Sequence, residues 1–110
     1  MRNMRILLAN EPRSYRETIA EALRHVCEGV EVRTTEPAKL SRCIQQFTPD
    51  MIVCSEATTV VKSSAFIWVE LYPGHDAHSS VSIGGRREDY AAIQLSDLIS
   101  IVDQAKVHNP

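Results

Sequence analysis

The sequence predicts an α/β fold, a three-layer, doubly wound parallel sheet in which an antiparallel hairpin replaces one helical unit of the C-terminal half. Two observations predict it. Short apolar runs alternate with amphipathic helical stripes through residues 4–56, which is the order of a parallel sheet with right-handed crossovers. After residue 65 the alternation stops, because no helical stripe follows the next apolar run. At 110 residues the chain fits one small domain over positions 1–110.

The first half supplies alternating strands and helices. Residues 5–9 have a continuous apolar centre, which is typical of a strand covered on both faces. A helix is predicted over 13–27, because apolar side chains recur there at the spacing of one helical face: Tyr15, Ile19, Ala22, Leu23 and Val26. Gly29 is suited to the position after the helix, and residues 30–33 alternate as a short strand.

A second helix and a third strand follow. Pro37 fits the first turn of a helix that opens at 35–37 and ends before Thr48 and Pro49. The side chains expected on its buried face are Leu40, Cys43, Ile44 and Phe47. Residues 51–54 form the next apolar run and are predicted as the third strand.

The second half has a different pattern. Residues 57–64 carry no good helical stripe and are predicted as a loop or an irregular turn, before a fourth strand over 65–71. Segments 80–83 and 89–93 flank a Gly-Gly-Arg-Arg stretch, which predicts an antiparallel hairpin. Ser96 is the expected cap of a last helix, whose apolar face is formed by Leu98, Ile99, Val102 and Ala105.

Composition argues against several classes of protein. The chain has 14 acidic and 12 basic residues, a net charge of −2 and no basic stripe, so nucleic-acid binding is not expected. Its longest apolar run is far shorter than the ~20 residues that span a bilayer, and the run after Met1 is too brief for a signal peptide. We therefore expect a cytoplasmic protein without membrane contact. Cys27, Cys43 and Cys54 have no metal spacing and are expected to be reduced and packed.

Polar side chains follow the first and third predicted strands. Asn10 and Glu11 come directly after one strand, and Ser55 and Glu56 after the other. The carboxyl ends of parallel strands share one edge of a sheet, and open α/β sheets bind their ligands at that edge. We therefore expect Asn10, Glu11 and Ser55 to be presented together.

The first half resembles bacterial response-regulator receiver domains, the CheY-like variant of the flavodoxin-like fold. Residues 4–12 (MRILLANEP) parallel that family's opening strand, which normally ends in a pair of acids. Residues 15–23 are similar to its first helix, and residues 49–55 (PDMIVCS) to the strand that delivers the phosphoacceptor aspartate. The resemblance covers residues 4–56, about half of the chain.

The resemblance implies a defined chemistry. In such domains the acids hold a divalent metal, usually Mg²⁺, and the acceptor aspartate becomes an acyl phosphate. A hydroxyl residue and a lysine at later strand ends respond to the new charge. Here Asn10 and Glu11 stand at the acid pair, Ser55 at the acceptor, Glu70 near the hydroxyl position and Gln94 near the lysine position.

These departures imply a degenerate receiver, or pseudo-receiver, that keeps the scaffold and has lost the phospho-switch. A serine hydroxyl is a poor nucleophile without a neighbouring base, and no histidine is placed in the sequence to serve as one. We expect no enzymatic activity, no metal and no cofactor. Glu56 is either a permanent negative charge that holds an activated-like state, or a residue whose side chain points to the face opposite that of Ser55.

Two interpretations are open for the other polar residues at this edge. Asn10 and Glu11 form either a residual cation or ligand pocket, or a turn that favours the positive N-terminal end of the first helix. Ser55 is either a phosphorylation or binding residue, or a structural residue at a strand end. In both cases we favour the structural role.

Three further motifs give weaker indications of a binding site. His75 and His78 have a hint of metal spacing, but a solvated loop is favoured. Arginines 86–87 beside two glycines could hold an anion, but solvated charges at a hairpin tip are favoured. The aromatic side chains in and after the fourth strand are expected in the core, or in an open patch that favours dimerisation: Phe66, Trp68 and Tyr72.

The function expected from these features is a degenerate receiver-like regulatory or protein-interaction domain in signal transduction, without aspartate phosphorylation. Its partner would be another protein or a second copy of the chain. Because Pro110 follows the last predicted helix directly, we expect the domain to stand alone. The alternative is a small-molecule or anion-binding module that uses Asn10, Glu11 and Ser55.

Overall fold

A computed structural model describes residues 3–65, 67–72 and 78–108, and within these ranges one six-stranded sheet is accompanied by four α-helices. The strands are β1 (Met4–Ala9), β2 (Val30–Thr34), β3 (Met51–Cys54), β4 (Ile67–Glu70), β5 (Ser79–Ile83) and β6 (Arg86–Tyr90). The helices are α1 (Arg13–Val26), α2 (Leu40–Phe47), α3 (Thr59–Ser64) and α4 (Leu95–His108). The predicted α/β class is confirmed.

The sheet is mixed. Its order is β2-β1-β3-β4-β5-β6, with parallel pairing from β2 to β4 and antiparallel pairing from β4 to β6. The predicted hairpin is therefore present, and it extends the main sheet beside β4. Its turn is shorter than expected, because Gly84 and Gly85 alone form the loop, with φ of 58° and 88°. Two residues with positive φ match the twist of a hairpin, so Arg86 and Arg87 already lie in β6.

Helices pack on both faces of the sheet, and β1 shows why its sequence is apolar throughout. Ile6 and Leu8 belong to the core cluster that contains side chains of α1 and α4. Leu7 and Ala9 belong to the opposite cluster, with side chains of α2 and α3. Because successive strand residues point to opposite faces, a strand covered on both sides must be apolar at every position.

The residues of α1 that face the sheet differ from the predicted stripe. The buried positions are Arg16, Ile19, Ala20 and Leu23, whereas Val26 is 57% exposed. The buried set follows the same three-and-four spacing, but it is rotated so that an arginine occupies a position facing the core. Tyr15 is partly buried and packs against the same core, as predicted. The sequence pattern favoured Val26 over Arg16, since an arginine is seldom buried.

The predicted loop at 57–64 is wrong, because this segment contains α3. Thr58 caps the helix, and its hydroxyl accepts a hydrogen bond from the Val61 backbone N–H at 3.4 Å. Val61 is the only buried residue of this short helix. A helix of six residues with one buried side chain has no stripe that sequence periodicity could detect.

The second helix also begins later than predicted. A 3₁₀ turn, Pro37–Lys39, comes first, and α2 follows it. Thr48 takes a left-handed conformation with φ 49°, which ends α2 where the Thr-Pro pair predicted the stop. In the part of the chain that the structure describes, no helix has the length and apolar character needed to cross a membrane.

The predicted cap at Ser96 is wrong, because Gln94 is the cap residue of α4 and the Asp97 side chain binds back to it. The Gln94 backbone N–H donates to Asp97 Oδ2 at 2.7 Å, while the Asp97 and Leu98 amides donate to the Gln94 carbonyl. This is the half of a capping box in which the third helical residue reaches back to the cap residue. Ser96 lies inside the first turn.

Replacing Asp97 with alanine is expected to lower the free energy of unfolding by about 1 kcal/mol, because the Gln94 amide loses its partner. Ser96→Ala is the matched control and should change it by less than about 0.5 kcal/mol. Urea unfolding followed by circular dichroism measures both. Equal losses for the two variants would contradict this cap assignment.

Candidate functional site at the carboxyl ends of the strands

The structure brings Glu11 and Ser55 together where β1 and β3 end. The Glu11 backbone N–H donates a hydrogen bond to Ser55 Oγ, with 2.8 Å between the two heavy atoms. Ser55 is half-buried, and its hydroxyl oxygen joins the loop after β3 to the loop after β1. The position that resembles a phosphoacceptor therefore carries a structural hydrogen bond.

Glu70, the last residue of β4, holds the next part of the same loop. Its Oε2 accepts a hydrogen bond from the Ala57 backbone N–H at 2.7 Å. Glu70 pairs in register with Cys54, so its carboxylate reaches the segment directly after β3. Glu56, between the two anchored residues, is exposed. The sequence marked Glu70 only as a departure at the switch position, and the parallel register reveals its role.

Cys54 ends β3 as a buried thiol that is poorly suited to nucleophilic chemistry. Its Sγ donates to the Val69 carbonyl at 3.6 Å. Burial, and after it the nearby Glu70 carboxylate, raise the pKa of Cys54 to about 12. The thiolate, which is the reactive form, is therefore scarce at neutral pH.

A small cavity opens beside these residues, and we call it the strand-end cavity. Its volume is about 300 Å³, the low end of the range for ligand pockets. Its lining consists of Ala9, Glu11, Pro37, Leu40, Cys54, Ser55, Glu56 and Thr58. The charged lining side chains are both carboxylates. Among the described residues, no group of three or more His, Cys, Asp and Glu side chains is placed to hold a metal ion.

Asn10 and Arg16 are buried polar residues near the same edge. Asn10 is fully buried, and neither its Oδ1 nor its Nδ2 has a hydrogen-bond partner. Arg16 is 5% exposed, and its Nε and Nη1 also lack hydrogen-bond partners. Nη1 lies 3.9 Å from Glu11 Oε2, which is an ion-pair distance but too long for a hydrogen bond. Sequence reasoning named Asn10 and missed Arg16.

A second cavity, the Trp68 groove, lies between α3 and the hairpin. Its volume is about 480 Å³, and it is lined by Lys62, Ala65, Trp68, Ser82, Gly84, Gly85 and Arg87. Trp68 is 5% exposed and packs in the cluster with Val61. Lys62 Nζ and Arg87 Cζ lie 5.7 Å and 5.5 Å from the centroid of its ring. Both cations therefore lie within the ~6 Å at which cation–π attraction acts.

The remaining candidate residues lie apart from the strand-end cavity or outside the described residues. Gln94, which the resemblance placed near the lysine position, is exposed beside the start of α4. The Tyr72 hydroxyl donates to the Ile93 carbonyl at 2.6 Å, which ties this aromatic side chain to the core. His78 is exposed. Phe66 and His75 lie outside the described residues, so the predicted histidine pair and aromatic patch are described only in part.

Iodoacetamide at pH 8 is expected to modify Cys54 far more slowly than the partly exposed Cys43, because a pKa near 12 leaves roughly 10⁻⁴ of the Cys54 thiol ionised. Both cysteines lie on the tryptic peptide 43–62, so fragmentation of that peptide in the mass spectrometer measures the two rates. Glu70→Gln should speed the reaction at Cys54 by removing a charge that raises its pKa. In urea the difference between the two cysteines should vanish. Equal rates in the folded protein would overturn this assignment.

Comparisons of the chain with known proteins complete the description of the site. Neither protein-family models, nor curated proteins, nor solved structures gave a match. The likeness of residues 4–12 and 49–55 to receiver domains therefore stays a prediction from the sequence.

Proposed function

We propose that the protein is a degenerate receiver-like regulatory or protein-interaction domain of signal transduction, which works in the cytoplasm by contact and without aspartate phosphorylation. The observation that carries the proposal is the hydrogen bond at Ser55. At the position that resembles a phosphoacceptor, a hydroxyl oxygen accepts the Glu11 amide at 2.8 Å and joins two loops. A joint of this kind supports a structural role for the position.

Other positions at the strand ends support the loss of the switch. Glu70 stands near the position of the switch hydroxyl, and its carboxylate is engaged with the Ala57 amide. Gln94 stands near the position of the lysine, and its backbone N–H donates to Asp97 Oδ2 in the cap of α4. Both residues serve the local backbone, and neither offers a cation or a hydroxyl that could respond to a phosphoryl group.

The order β2-β1-β3-β4, with parallel pairing and helices on both faces, is compatible with the CheY-like arrangement. In our proposal the antiparallel β5 and β6 occupy the place of the last helical unit of a doubly wound receiver. This change leaves polar side chains on the outer part of one face. Ser80 and Ser82 pair across the hairpin with Asp89 and Arg87, which are exposed.

The Trp68 groove is the surface that best fits a partner. Two cationic side chains line it, and none of the described residues of its lining carries a carboxylate. Charge complementarity therefore favours an acidic segment of another protein, with Lys62 and Arg87 as its contacts. If the partner is a second copy of the chain, the protein should self-associate, and this association should depend on Lys62 and Arg87.

Addition of Mg²⁺ and beryllofluoride is expected to leave the amide signals of Glu11 and Ser55 unchanged in ¹H–¹⁵N NMR spectra, since a serine stands at the acceptor position. A functional receiver domain, treated in parallel, controls the reagent. Saturable, Mg²⁺-dependent shifts at Ser55 would refute the lost switch and support an active phosphoacceptor.

A glutamate-rich peptide should change the fluorescence of Trp68, which is the single tryptophan of the chain. The Lys62→Glu/Arg87→Glu variant should weaken binding on the order of tenfold or more, because two attractive contacts become repulsive. Lys39→Glu/Arg42→Glu carries the same change of charge elsewhere on the surface and should bind as wild type does. Equal weakening in both variants would show that binding is non-specific, and sedimentation of the same proteins would detect self-association through the groove.

A further inference from the structure

Arg16 is a buried charged residue that has no role in the proposed function. Its guanidinium is almost completely buried, and two of its nitrogens have no hydrogen-bond partner. A buried charge without compensating hydrogen bonds is strongly destabilising in a folded protein. Its nearest carboxylate, Glu11 Oε2 at 3.9 Å, makes no hydrogen bond with it, and the Glu11 side chain is 58% exposed. The charge of Arg16 is therefore only weakly compensated within the described chain.

Asn10 adds a second buried group without partners at the same edge. It immediately precedes Glu11, so it lies one residue from the carboxylate that approaches Arg16. Along β1, Leu8 faces the cluster with α1 and Ala9 faces the opposite cluster. Alternation therefore directs Asn10 toward the α1 side, which is also the side that Arg16 faces. Unpartnered buried polar atoms are rare in native proteins and call for a partner.

We propose that Arg16 and Asn10 form a binding site for a small oxyanion, a carboxylate or a phosphate group, at the carboxyl end of β1. The guanidinium offers a planar fork of N–H donors that matches such a group, and the Asn10 amide supplies a further donor. The site also lies near the N-terminal end of α1, whose dipole favours negative charge. Ligand sites of open α/β sheets occur at this edge.

Glu11 acts as an internal competitor for this site. Its carboxylate stands at ion-pair distance from Arg16 while most of its side chain remains in water. An entering oxyanion can displace it into solvent without breaking a hydrogen bond to the guanidinium. Glu11 thus sets the affinity of the site, since its negative charge both stabilises the empty state and repels the ligand.

The site differs from the acceptor position of a receiver domain in two respects. It depends on Arg16, which takes no part in the hydrogen bond between Glu11 and Ser55, and it requires no metal. Binding of an oxyanion here is therefore expected to be independent of Mg²⁺. An experiment can therefore refute the loss of the phospho-switch without refuting the oxyanion site, and the reverse.

Thermal unfolding of the full chain in sodium phosphate, sodium acetate or sodium chloride, at matched ionic strength and pH, tests the site. Phosphate or acetate should raise the Tm of the wild type saturably above its value in chloride. The anion that acts at the lower concentration identifies the ligand as a phosphate or a carboxylate. Glu11→Gln should bind the same anion more tightly than wild type does, because the competing charge is gone.

Arg16→Met supplies the decisive comparison. It should weaken anion binding on the order of tenfold or more, because the charge-assisted hydrogen bonds are lost. In chloride it should be at least as stable as wild type, since an apolar side chain replaces a poorly compensated buried charge. Arg13→Met, at an exposed position of the same helix, controls for a general effect of charge and should retain wild-type binding.

A direct measurement keeps the test independent of how well the variants fold. In wild-type NMR spectra, the Arg16 Nε–H signal should shift saturably with phosphate or acetate, with and without Mg²⁺. The proposal is overturned if this signal does not move with either anion, or if anion stabilisation is the same in Arg16→Met and wild type. A large loss of stability of Arg16→Met in chloride would also overturn it, since the guanidinium would then be satisfied by the protein itself.

Discussion

The burial of β1 on both faces is the constraint on which the rest of the molecule depends. Ile6, Leu7 and Leu8 are completely buried, and their side chains alternate between two separate cores. Because β1 pairs in parallel with β2 on one side and with β3 on the other, its register sets both neighbours. The same strand delivers Asn10 and Glu11 to the edge where β3 delivers Ser55. The site thus inherits its geometry from a strand that must be apolar at every position.

The elements with a strong apolar pattern could be predicted from the sequence, and those with short or mixed patterns could not. The bounds of β3 agree with the prediction, because four consecutive buried residues form an unbroken apolar run. Helix α3 was missed since Val61 alone is buried. The proximity of Glu11 and Ser55 followed from the rule for parallel strand ends, whereas Arg16 did not, because its position facing the core contradicts the usual preference of an arginine.

The strand ends differ from an acidic pocket mainly because a hydroxyl group takes the place of a carboxylate. A carboxylate at position 55 would carry charge and could attack phosphorus, whereas the Ser55 hydroxyl serves as a neutral acceptor for the Glu11 amide. Glu70 is likewise engaged by a backbone N–H, and its charge helps to keep the Cys54 thiol protonated. The polar groups that meet at β3 therefore stabilise loops. Among the described residues, the buried polar atoms without partners belong to Asn10 and Arg16.

The two sites proposed for ligands are both cationic, although the chain has a net charge of −2. The fold gathers a few cationic side chains at each site. Arg16 faces the sheet from α1, and Lys62 and Arg87 lie near Trp68 on the opposite face. The hairpin creates the second of these, because β6 carries Arg87 to the rim of the groove. Separation by the apolar sheet means that direct contact between the two ligands is excluded. Any coupling between the two sites must therefore pass through the packing of β1, β3 and β4. Because a close-packed core of this kind is rigid, we expect a ligand at one site to leave the affinity of the other site for its own ligand nearly unchanged.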